Sequence, residues 1–489
     1  MSRASIPYGA NWLAGAAAGA AAGATFEKIA PASGRALGSA PRSGRQDVDC
    51  ALAAAAQAFP GWSGFTPVRR GQILDSVVQT MKAKAAELAK VVAAETGKSI
   101  KDATVEVGAA IQQGQFFAAE GMRLYARSLT SGMPGKYSHS VRAPLGICAL
   151  IVPANTPIAN IAWKVFPALI CGNTAVLKAS EDAPETASLF ASLAHDAGLP
   201  AGVLNVVQGY GQECGSLLVE DERVAVISFT GSTPVGRWIA EVGGRRLARV
   251  SLELGGKNPL VVCDDADIDE AVKWAALSAF SNAGQRCAAG SRLIVFDAIY
   301  DAFMSKLVQK TKSLKLGVAD SDDLGPVQNQ RQMDNILRTV AEAASRGGRV
   351  LCGGRRAGGG ALANGFYVEP TVVEIDSEAD PIGRTEMFGP VVSVHRVKDY
   401  AMALQIANAT EYGLTAAIHT TSTDRAQHFC HHVRAGVVNV NIGTYGSEPH
   451  MPFGGFGASG NGTREPGSEA LDVYSELKNI SFFVRDGRL

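Results

Sequence analysis

The sequence predicts an α/β fold that contains a buried parallel sheet and more than one domain. At 489 residues the chain is too long for a single hydrophobic core. After about residue 145, short apolar runs rich in Val and Ile alternate with helical stretches, which is typical of a parallel sheet buried on both faces. The first half of the chain therefore looks like a doubly wound, dinucleotide-type domain.

The N-terminal region is predicted to form a short β-hairpin or loop followed by helices. The stretch LAGAAAGAAAGA at 13–24 is broken by glycine and too short to span a bilayer. A signal-peptide core is the less favoured interpretation, because Asn11 interrupts its approach. From about 47 to 126, apolar residues recur at helical spacing.

Strands and helices then alternate. Strands are predicted at 146–153, 174–179, 203–207 and 224–230, and helices near 158–171, 184–197, 211–219 and 234–242. A second series starts at 259–265, where Asp267 and Glu270 form a plausible capping box for the next helix. Further strands are predicted at 291–296 and 391–397, and the Gly-rich run 353–360 is predicted to be a surface loop.

Charge and cysteine usage exclude several functions. The chain has 46 Lys and Arg against 46 Asp and Glu, so no net charge attracts nucleic acid or an anionic membrane. Its eight cysteines are scattered, without a CxxC pair or a Cys/His cluster at metal-ligand spacing. We therefore expect neither a metal site nor disulfides, and a reducing, cytoplasmic location.

Cys287 lies in the loop sequence NAGQRCAAGS (282–291). A lone cysteine is more often a small core residue, yet loops between a helix and a strand commonly present functional residues. The neighbouring Arg286 could favour the thiolate, although adjacent side chains in an extended segment point apart.

Two other polar residues follow predicted strands. Glu253 in LELGGK is either a solvated glutamate at a strand end or a base whose pKa is raised by burial. Asn155 in PANTP is either an ordinary turn residue or an amide that donates to an oxyanion. Gly231 and Ser232 in FTGSTPVG open a helix, which suits either a plain turn or a phosphate site.

Taken together, these segments resemble the aldehyde dehydrogenase superfamily over essentially the whole chain. The motifs appear in order as PANTP, KASE (178–181), FTGSTPVG, LELGGK, NAGQRC, EMFGP (386–390) and PFGGFGASG (452–460). The resemblance implies that Cys287 attacks an aldehyde carbonyl to give a thiohemiacetal and then a thioester. It also implies that Asn155 holds the oxyanion and that Glu253 activates water.

The resemblance also implies a nicotinamide cofactor. Lys178 and Glu181 match positions that contact the adenosine ribose, and Gly231 and Ser232 match the region near the pyrophosphate. A carboxylate at the ribose would repel a 2′-phosphate, so we expect NAD rather than NADP. Two further residues match the nicotinamide side of the cofactor, namely Glu386 at its ribose and Phe388 nearby.

The family architecture implies an aldehyde dehydrogenase-like fold with three parts. A Rossmann-type NAD-binding domain would comprise 1–126 and 145–256, and an α/β catalytic domain would comprise 257–458. A β oligomerisation flap would comprise 127–144 and 472–489. The apolar C-terminal run 476–485 would otherwise be an unpaired edge strand, so we expect a homodimer or homotetramer.

The resemblance to a semialdehyde-oxidising branch of the family implies an anionic semialdehyde as the substrate. An arginine before the nucleophile, here Arg286, helps to bind the acidic tail of semialdehydes in several relatives. The resemblance assigns the substrate tunnel and its mouth to Trp163, Thr156, Tyr445 and His450. The chain departs from the family pattern at Ala154, Thr156 and Ala179, and it has Thr104 near a position where semialdehyde enzymes often carry arginine.

Three alternatives remain open at this stage. A CoA-acylating dehydrogenase of the same superfamily is disfavoured by Glu253, which such enzymes commonly lack. A thiol hydrolase without nicotinamide leaves Lys178 and Glu386 unexplained. A non-catalytic protein on this fold has no need of Cys287, Glu253 and Asn155 together.

Overall fold

The computed structural model describes residues 6–377 and 379–485. The predicted domain ranges extend to 1–5 and 486–489, and these ends lie outside the described residues. Helices and strands are numbered along the chain.

The first sheet is built mainly from parallel strands. Its strands are β1 (Asn11–Leu13), β2 (Ala16–Ala18), β7 (Ile147–Ile151), β8 (Thr174–Lys178), β9 (Leu204–Val207), β10 (Val224–Thr230) and β11 (Arg249–Glu253), in the order β11-β10-β7-β8-β9-β1-β2. Strands β7 to β11 pair in parallel. The Ala-rich N-terminal stretch forms the β1–β2 hairpin, as predicted.

Helices cover this sheet. The connecting helices are α5 (Pro157–Ile170), α6 (Pro184–Asp196), α7 (Ser216–Glu220) and α8 (Thr233–Arg245), and the N-terminal helices are α1 (Arg45–Gly64), α2 (Pro67–Ala83), α3 (Ala85–Thr96) and α4 (Ile100–Glu120). The predicted helix near 211–219 begins as a π-turn at Gly211–Gly215 before it becomes α7. The largest hydrophobic core lies between the sheet and these helices and includes Val78, Met81 and Phe166.

The order of the strands creates a crevice. The chain runs from β7 to β8 and β9, then returns to place β10 on the other side of β7. The connections after β7 and after β10 therefore leave the sheet in opposite directions. In open α/β sheets, ligands bind at the carboxyl ends of the strands at such a switch point.

The second large sheet is also built mainly from parallel strands. Its strands are β12 (Asn258–Val262), β13 (Gly290–Phe296), β14 (Arg349–Cys352), β15 (Thr371–Glu374), β16 (Val391–Val397), β17 (Thr415–His419) and β18 (Val437–Val440), in the order β14-β15-β16-β13-β12-β17-β18. Strand β14 pairs antiparallel with β15, and the other pairs are parallel. Its helices are α9 (Ile268–Phe280), α10 (Tyr300–Ser313), α11 (Gln330–Ser345), α12 (Pro381–Arg384), α13 (Tyr400–Asn408) and α14 (Thr423–His432).

Only the Asp267 half of the predicted capping box forms at α9 in the described structure. The Asp267 carboxylate accepts hydrogen bonds from the backbone N–H groups of Asp269 and Glu270 at 3.0 and 3.1 Å. The Glu270 carboxylate accepts from Lys273 Nζ at 3.1 Å. Asp267 alone therefore accounts for the observed start of the helix.

Two smaller sheets complete the described fold. Strands β3 (Thr25–Ile29) and β4 (Ala36–Pro41) form an antiparallel pair. The other sheet consists of β5 (Ser128–Leu129), β6 (Lys136–Pro144) and the C-terminal β19 (Ser475–Phe483), which follows α15 (Ala470–Val473). Its strand order is β19-β6-β5. The C-terminal strand thus pairs along its full length with β6 of its own chain. No helix among the described residues is long and apolar enough to cross a membrane.

Candidate active site

A cavity of about 390 Å³ lies at the carboxyl ends of the first sheet. Segments from both large sheets enclose it. The residues that line it are Pro153, Asn155, Thr156, Ala159, Asn160, Trp163, Thr230, Gly231, Ser232, Glu253, Leu254, Gly255, Cys287, Gln332, Asn335, Glu386, Met387, Phe388 and Phe453. Three candidate catalytic residues far apart in sequence, Asn155, Glu253 and Cys287, therefore meet in one cavity.

Cys287 lies on a tightly turned loop between α9 and β13. Asn282, Ala283 and Gly284 have φ values of 54°, 53° and 67°, so three consecutive residues adopt the left-handed conformation. A Cβ on Gly284 would lie 2.1 Å from the carbonyl oxygen of Gly389, so only glycine fits there. The loop is held further by Asn258, whose Nδ2 donates to the Cys287 carbonyl at 2.7 Å.

The thiol of Cys287 is half-buried, and its pKa is strongly raised. Burial is the largest cause, and the carboxylates of Glu386 and Glu253 add to it, so the pKa of the thiol reaches about 12. Arg286 opposes this shift but is the smallest contributor named. The predicted activation of the thiol by Arg286 is therefore outweighed by burial and by the two carboxylates.

Glu253 is the last residue of β11, and its side chain is buried, with 3% exposure. Neither carboxylate oxygen has a hydrogen-bond partner among the described residues. Burial raises the pKa of Glu253 well above its ordinary value, and the nearby Glu465 raises it further against the opposing charges of Lys164 and Arg464. A carboxylate in this state takes up a proton readily near neutral pH.

Behind Glu253 lies a buried ion pair that sequence reasoning missed. Lys164 Nζ is 2.7 Å from Glu465 Oε2, and both side chains are 1% exposed. The hydroxyls of Ser228 and Tyr474 each donate to Glu465 Oε1 at 2.9 Å. The sequence feature that indicates this pair is the lysine in the otherwise apolar helix sequence IAWKVFPALI, because a lysine buried there needs a charged partner.

Asn155 follows β7 and is held by several bonds. Its Nδ2 donates to the Gln285 carbonyl at 3.0 Å. Its own carbonyl accepts from Lys98 Nζ at 2.9 Å and from Asn282 Nδ2 at 3.2 Å. The amide is thus linked to the loop that carries Cys287.

Gly231 and Ser232 border the cavity where α8 begins. Ser232 is the N-cap residue of α8, and its side chain makes no capping bond within the described structure. A Cβ on Gly231 would lie 2.4 Å from the ring of Phe229, so a larger residue would displace that ring. Within the described residues, the start of α8 therefore borders the cavity with a serine hydroxyl that is not used as a cap, an arrangement that favours an anion.

The other predicted cofactor residues form two groups. Lys178 Nζ lies 3.3 Å from Glu181 Oε2 at the end of β8, with the lysine buried, and neither residue is part of the cavity lining. Glu386 Oε1 accepts from the backbone N–H of Gly256 at 2.9 Å. Burial raises the pKa of Glu386 to about 7, although that hydrogen bond and Lys257 oppose the shift. Phe388 lines the same cavity.

The predicted substrate residues separate into two sets. Thr156 and Trp163 line the cavity, and the Trp163 ring packs against Phe453 with centroids 5.5 Å apart.

The other set lies away from that lining. Arg286 stacks on the Tyr445 ring at 4.9 Å and borders a much smaller neighbouring cavity. His450 is exposed, 4.0 Å from Glu448.

Two lining residues on α11 were also missed. Gln332 Nε2 donates to the carbonyl of Met387 at 2.6 Å, so it supports the loop that carries Glu386 and Phe388. Asn335 lies one turn further along the same helix. Nothing in this polar segment distinguished it from an ordinary surface helix. Among the residues that the structure describes, no group of three or more potential metal ligands occurs.

Comparisons with known proteins agree with this arrangement. A profile described as "Aldehyde dehydrogenase family" matches residues 19–480. The aldehyde dehydrogenase of Emericella nidulans is 36% identical over 471 residues, which cover 95% of this chain and 93% of that protein. The alpha-ketoglutaric semialdehyde dehydrogenase of Bacillus subtilis is 35% identical over 446 residues, 91% of each chain.

Solved structures also resemble this chain in sequence and in fold. PnpE from Pseudomonas sp. WBC-3 superposes with a TM-score of 0.95 at 37% identity, over 98% of both chains, and has been crystallised with nicotinamide adenine dinucleotide. This relative supports the prediction of NAD as cofactor. The predicted fold class is confirmed, and the chain belongs to the aldehyde dehydrogenase family of oxidoreductases.

Proposed function

We propose that the protein oxidises an aldehyde to its carboxylic acid with NAD as hydride acceptor, through covalent intermediates on Cys287. The observation that carries this proposal is the meeting of Cys287, Glu253 and Asn155 in one cavity at the switch point of the sheet. No single one of these residues would specify the chemistry. Together they supply a nucleophile, a base and an oxyanion donor.

The residues around the cavity fit the cofactor. The start of α8, with Gly231 and a Ser232 hydroxyl that makes no capping bond within the described residues, suits a pyrophosphate. Outside the cavity lining, the Glu181 carboxylate beside Lys178 suits ribose hydroxyls and would repel a 2′-phosphate. Glu386 faces the cavity and offers a hydrogen-bond acceptor to a second ribose. When bound, NAD accepts the hydride that leaves the aldehyde carbon.

The chain's own residues carry the remaining chemistry. The Cys287 thiol is protonated at neutral pH because of its high pKa, so Glu253 takes its proton as the sulfur attacks the carbonyl carbon. The new C–S bond makes a thiohemiacetal, whose oxyanion accepts hydrogen bonds from Asn155 Nδ2 and the Cys287 backbone N–H. Loss of hydride leaves a thioester.

Glu253 acts again in the second half of the reaction. After it has released the proton taken from Cys287 to solvent, the Glu253 carboxylate removes a proton from water, which attacks the thioester carbon. The C–S bond then breaks, the thiolate leaves, and the carboxylic acid is released. The buried, unpartnered state of Glu253 suits both steps, since its raised pKa makes it a stronger base than an exposed carboxylate.

NADH formation over a panel of aliphatic, aromatic and acid-bearing aldehydes, with and without CoA, tests this proposal. We expect NADH without CoA and a free acid product, and Cys287→Ala should abolish both. NADH formation that requires CoA and yields acyl-CoA would favour the acylating alternative. Absence of NAD binding by calorimetry would favour a thiol hydrolase.

We further propose an anionic semialdehyde as the substrate class. The Arg286 Nε is buried and has no hydrogen-bond partner within residues 6–377 and 379–485, so its guanidinium retains donor capacity. A similar protein from Bacillus subtilis is named for a semialdehyde with an acidic tail. Arg286→Ala should reduce kcat/KM for acidic aldehydes more than for neutral ones. An equal reduction for both classes would exclude Arg286 as the anchor.

We also propose that the β19-β6-β5 sheet is the oligomerisation flap and that the division into 1–126 with 145–256, 257–458, and 127–144 with 472–489 holds. Leu477, Phe482 and Phe483 are exposed on this sheet, and large exposed apolar groups mark interaction surfaces. Light scattering should give a dimer or tetramer, and Phe482→Ser combined with Leu477→Ser should shift it to smaller species.

A further inference from the structure

We infer that the buried ion pair between Lys98 and Glu106 is a positioning pair that holds Asn155 in the geometry needed to bind the oxyanion. This inference rests on the proposed function, because it assigns Asn155 the role of oxyanion donor. Neither residue lines the cavity, so the pair would act through Asn155 rather than on the substrate.

Glu106 caps the N-terminus of α5, although it lies on a different helix. It lies on α4, its side chain is 5% exposed, and its Oε1 accepts from the backbone N–H groups of Ile158 and Ala159 at 3.0 and 3.4 Å. The N-cap residue of α5, Thr156, makes no capping bond with its own side chain in the described structure. The first turn of α5 therefore depends on Glu106 for its free N–H groups.

Lys98 connects the same carboxylate to Asn155. Its Nζ lies 2.6 Å from Glu106 Oε2 and donates to the Asn155 carbonyl at 2.9 Å, with 6% of the lysine side chain exposed. Each charge neutralises the other in a buried setting, where a single unpaired charge would be costly. The pair thus fixes the backbone at Asn155 itself and again at Ile158.

The orientation of the Asn155 amide depends on this backbone. A carboxamide nitrogen carries two hydrogens, and one of them is used by the Gln285 carbonyl at 3.0 Å. The other is left to donate to the oxyanion in the proposed mechanism. Asn160 Nδ2 approaches Asn155 Oδ1 at 3.4 Å, so the bond to Gln285 is the shorter of these two hydrogen bonds that hold the side chain. A misplacement of about 1 Å can cost on the order of a hundredfold in rate.

The test compares Glu106→Gln and Lys98→Met with the unmodified protein. Each variant is measured for acylation, as the pre-steady-state rate of NADH formation from the best aldehyde, and for alkylation of Cys287 by iodoacetamide, which forms no oxyanion. We expect acylation to fall by about tenfold to a hundredfold and alkylation to change by less than about twofold. NAD affinity, measured by calorimetry, should stay the same.

A double-mutant cycle separates positioning from general damage. In an Asn155→Ala background, Glu106→Gln should lower acylation no further, because the group that it positions is gone. Asp47→Asn is the matched control. Asp47 is also a buried carboxylate at a helix start, where it accepts from Gly44 and Ala21 at 2.9 and 2.8 Å, and it lies outside the cavity.

The control should lower the melting temperature without a loss of acylation. The inference is overturned if Glu106→Gln and Lys98→Met leave acylation intact, if alkylation falls in parallel with it, or if the full loss persists in the Asn155→Ala background. Should Glu106→Gln fail to fold, Lys98→Met alone decides between these outcomes. If the unmodified protein forms no NADH from any aldehyde, the proposed function fails first, and that result is distinct from all of these.

Discussion

The resting thiol of Cys287 should react slowly with alkylating agents in cofactor-free protein. Burial and two carboxylates raise its pKa from 9.0 to about 12. At pH 8 a thiol with a pKa of 9.0 is about one tenth thiolate, whereas one with a pKa of about 12 is roughly one part in ten thousand. The concentration of the reactive species therefore falls by about a thousandfold.

The labelling rate falls by less than the thiolate concentration, because a more basic thiolate is a better nucleophile. With a Brønsted coefficient of about 0.4–0.5 over a pKa difference of about 3 (12 − 9), each thiolate reacts about 15 to 30 times faster. The net alkylation rate should therefore be on the order of 30 to 60 times below that of an ordinary thiol.

The assay is the second-order rate of iodoacetamide labelling, measured for the Cys287 peptide by mass spectrometry between pH 7 and 10. The rate should rise about tenfold per pH unit without reaching a plateau, since the pH stays below the pKa. The exposed Cys430 serves as an internal reference in the same sample. A plateau below pH 9, or labelling of Cys287 as fast as Cys430 at pH 8, would refute this reasoning.

Variants of the two carboxylates test the cause of the raised pKa of Cys287. Glu386→Gln and Glu253→Gln each remove one of the charges that raise the pKa of Cys287, so each should increase the labelling rate. Neither should restore an ordinary rate, because burial is the largest cause. Glu241→Gln changes an exposed carboxylate that pairs with Arg245 on α8 and should leave the rate unchanged.

Three further outcomes follow from the site. Glu253→Gln should lower kcat by about 10²- to 10⁴-fold, because it removes the base; NADH formation measures this, and a smaller loss would exclude Glu253 from that role. Glu181→Ala should raise the NADP-to-NAD ratio of kcat/KM by about tenfold or more, since the repelling carboxylate is gone; an unchanged ratio would contradict the expectation. Lys164→Met should lower the free energy of unfolding by about 3–5 kcal/mol, because it leaves Glu465 buried and unpaired. As a control, Arg245→Met removes an exposed ion pair and should lower the free energy of unfolding by less than about 1 kcal/mol. Equal melting temperatures for Lys164→Met and Arg245→Met would contradict the stabilising role of the buried pair.

The sequence predicts those parts of the fold whose pattern is local. Strand β8 at Thr174–Lys178 and helix α6 at Pro184–Asp196 agree with the predicted 174–179 and 184–197, because apolar runs and helical periodicity are properties of neighbouring residues. The turn at Gly211–Gly215 differs from a regular α-helix. Its backbone depends on a local irregularity that periodicity does not encode.

The site is predictable only where a motif marks it. Cys287, Glu253 and Asn155 stand in recognisable segments, and all three line the cavity. Lys98 and Glu106 carry no such mark, because their importance depends on α4 packing against α5, whose first residues lie about fifty positions away. The position of Arg286 against Tyr445 likewise depends on how two distant loops meet.

Burial provides one physical explanation for the resting state of the whole site. It is the first cause of the raised pKa of Glu253, Cys287 and Glu386, and it lowers the pKa of Lys257 to about 7. Burial thus disfavours the charged form of each of these groups, so a carboxylate that is ionised in this low-dielectric cavity is a strong base. In the proposed mechanism, negative charge moves from the Glu253 carboxylate to the carbonyl oxygen as the oxyanion forms. The same low dielectric then strengthens the hydrogen bonds that meet it. The oxyanion therefore needs donors that are fixed in advance, and fixing Asn155 is the role inferred for the Lys98–Glu106 pair.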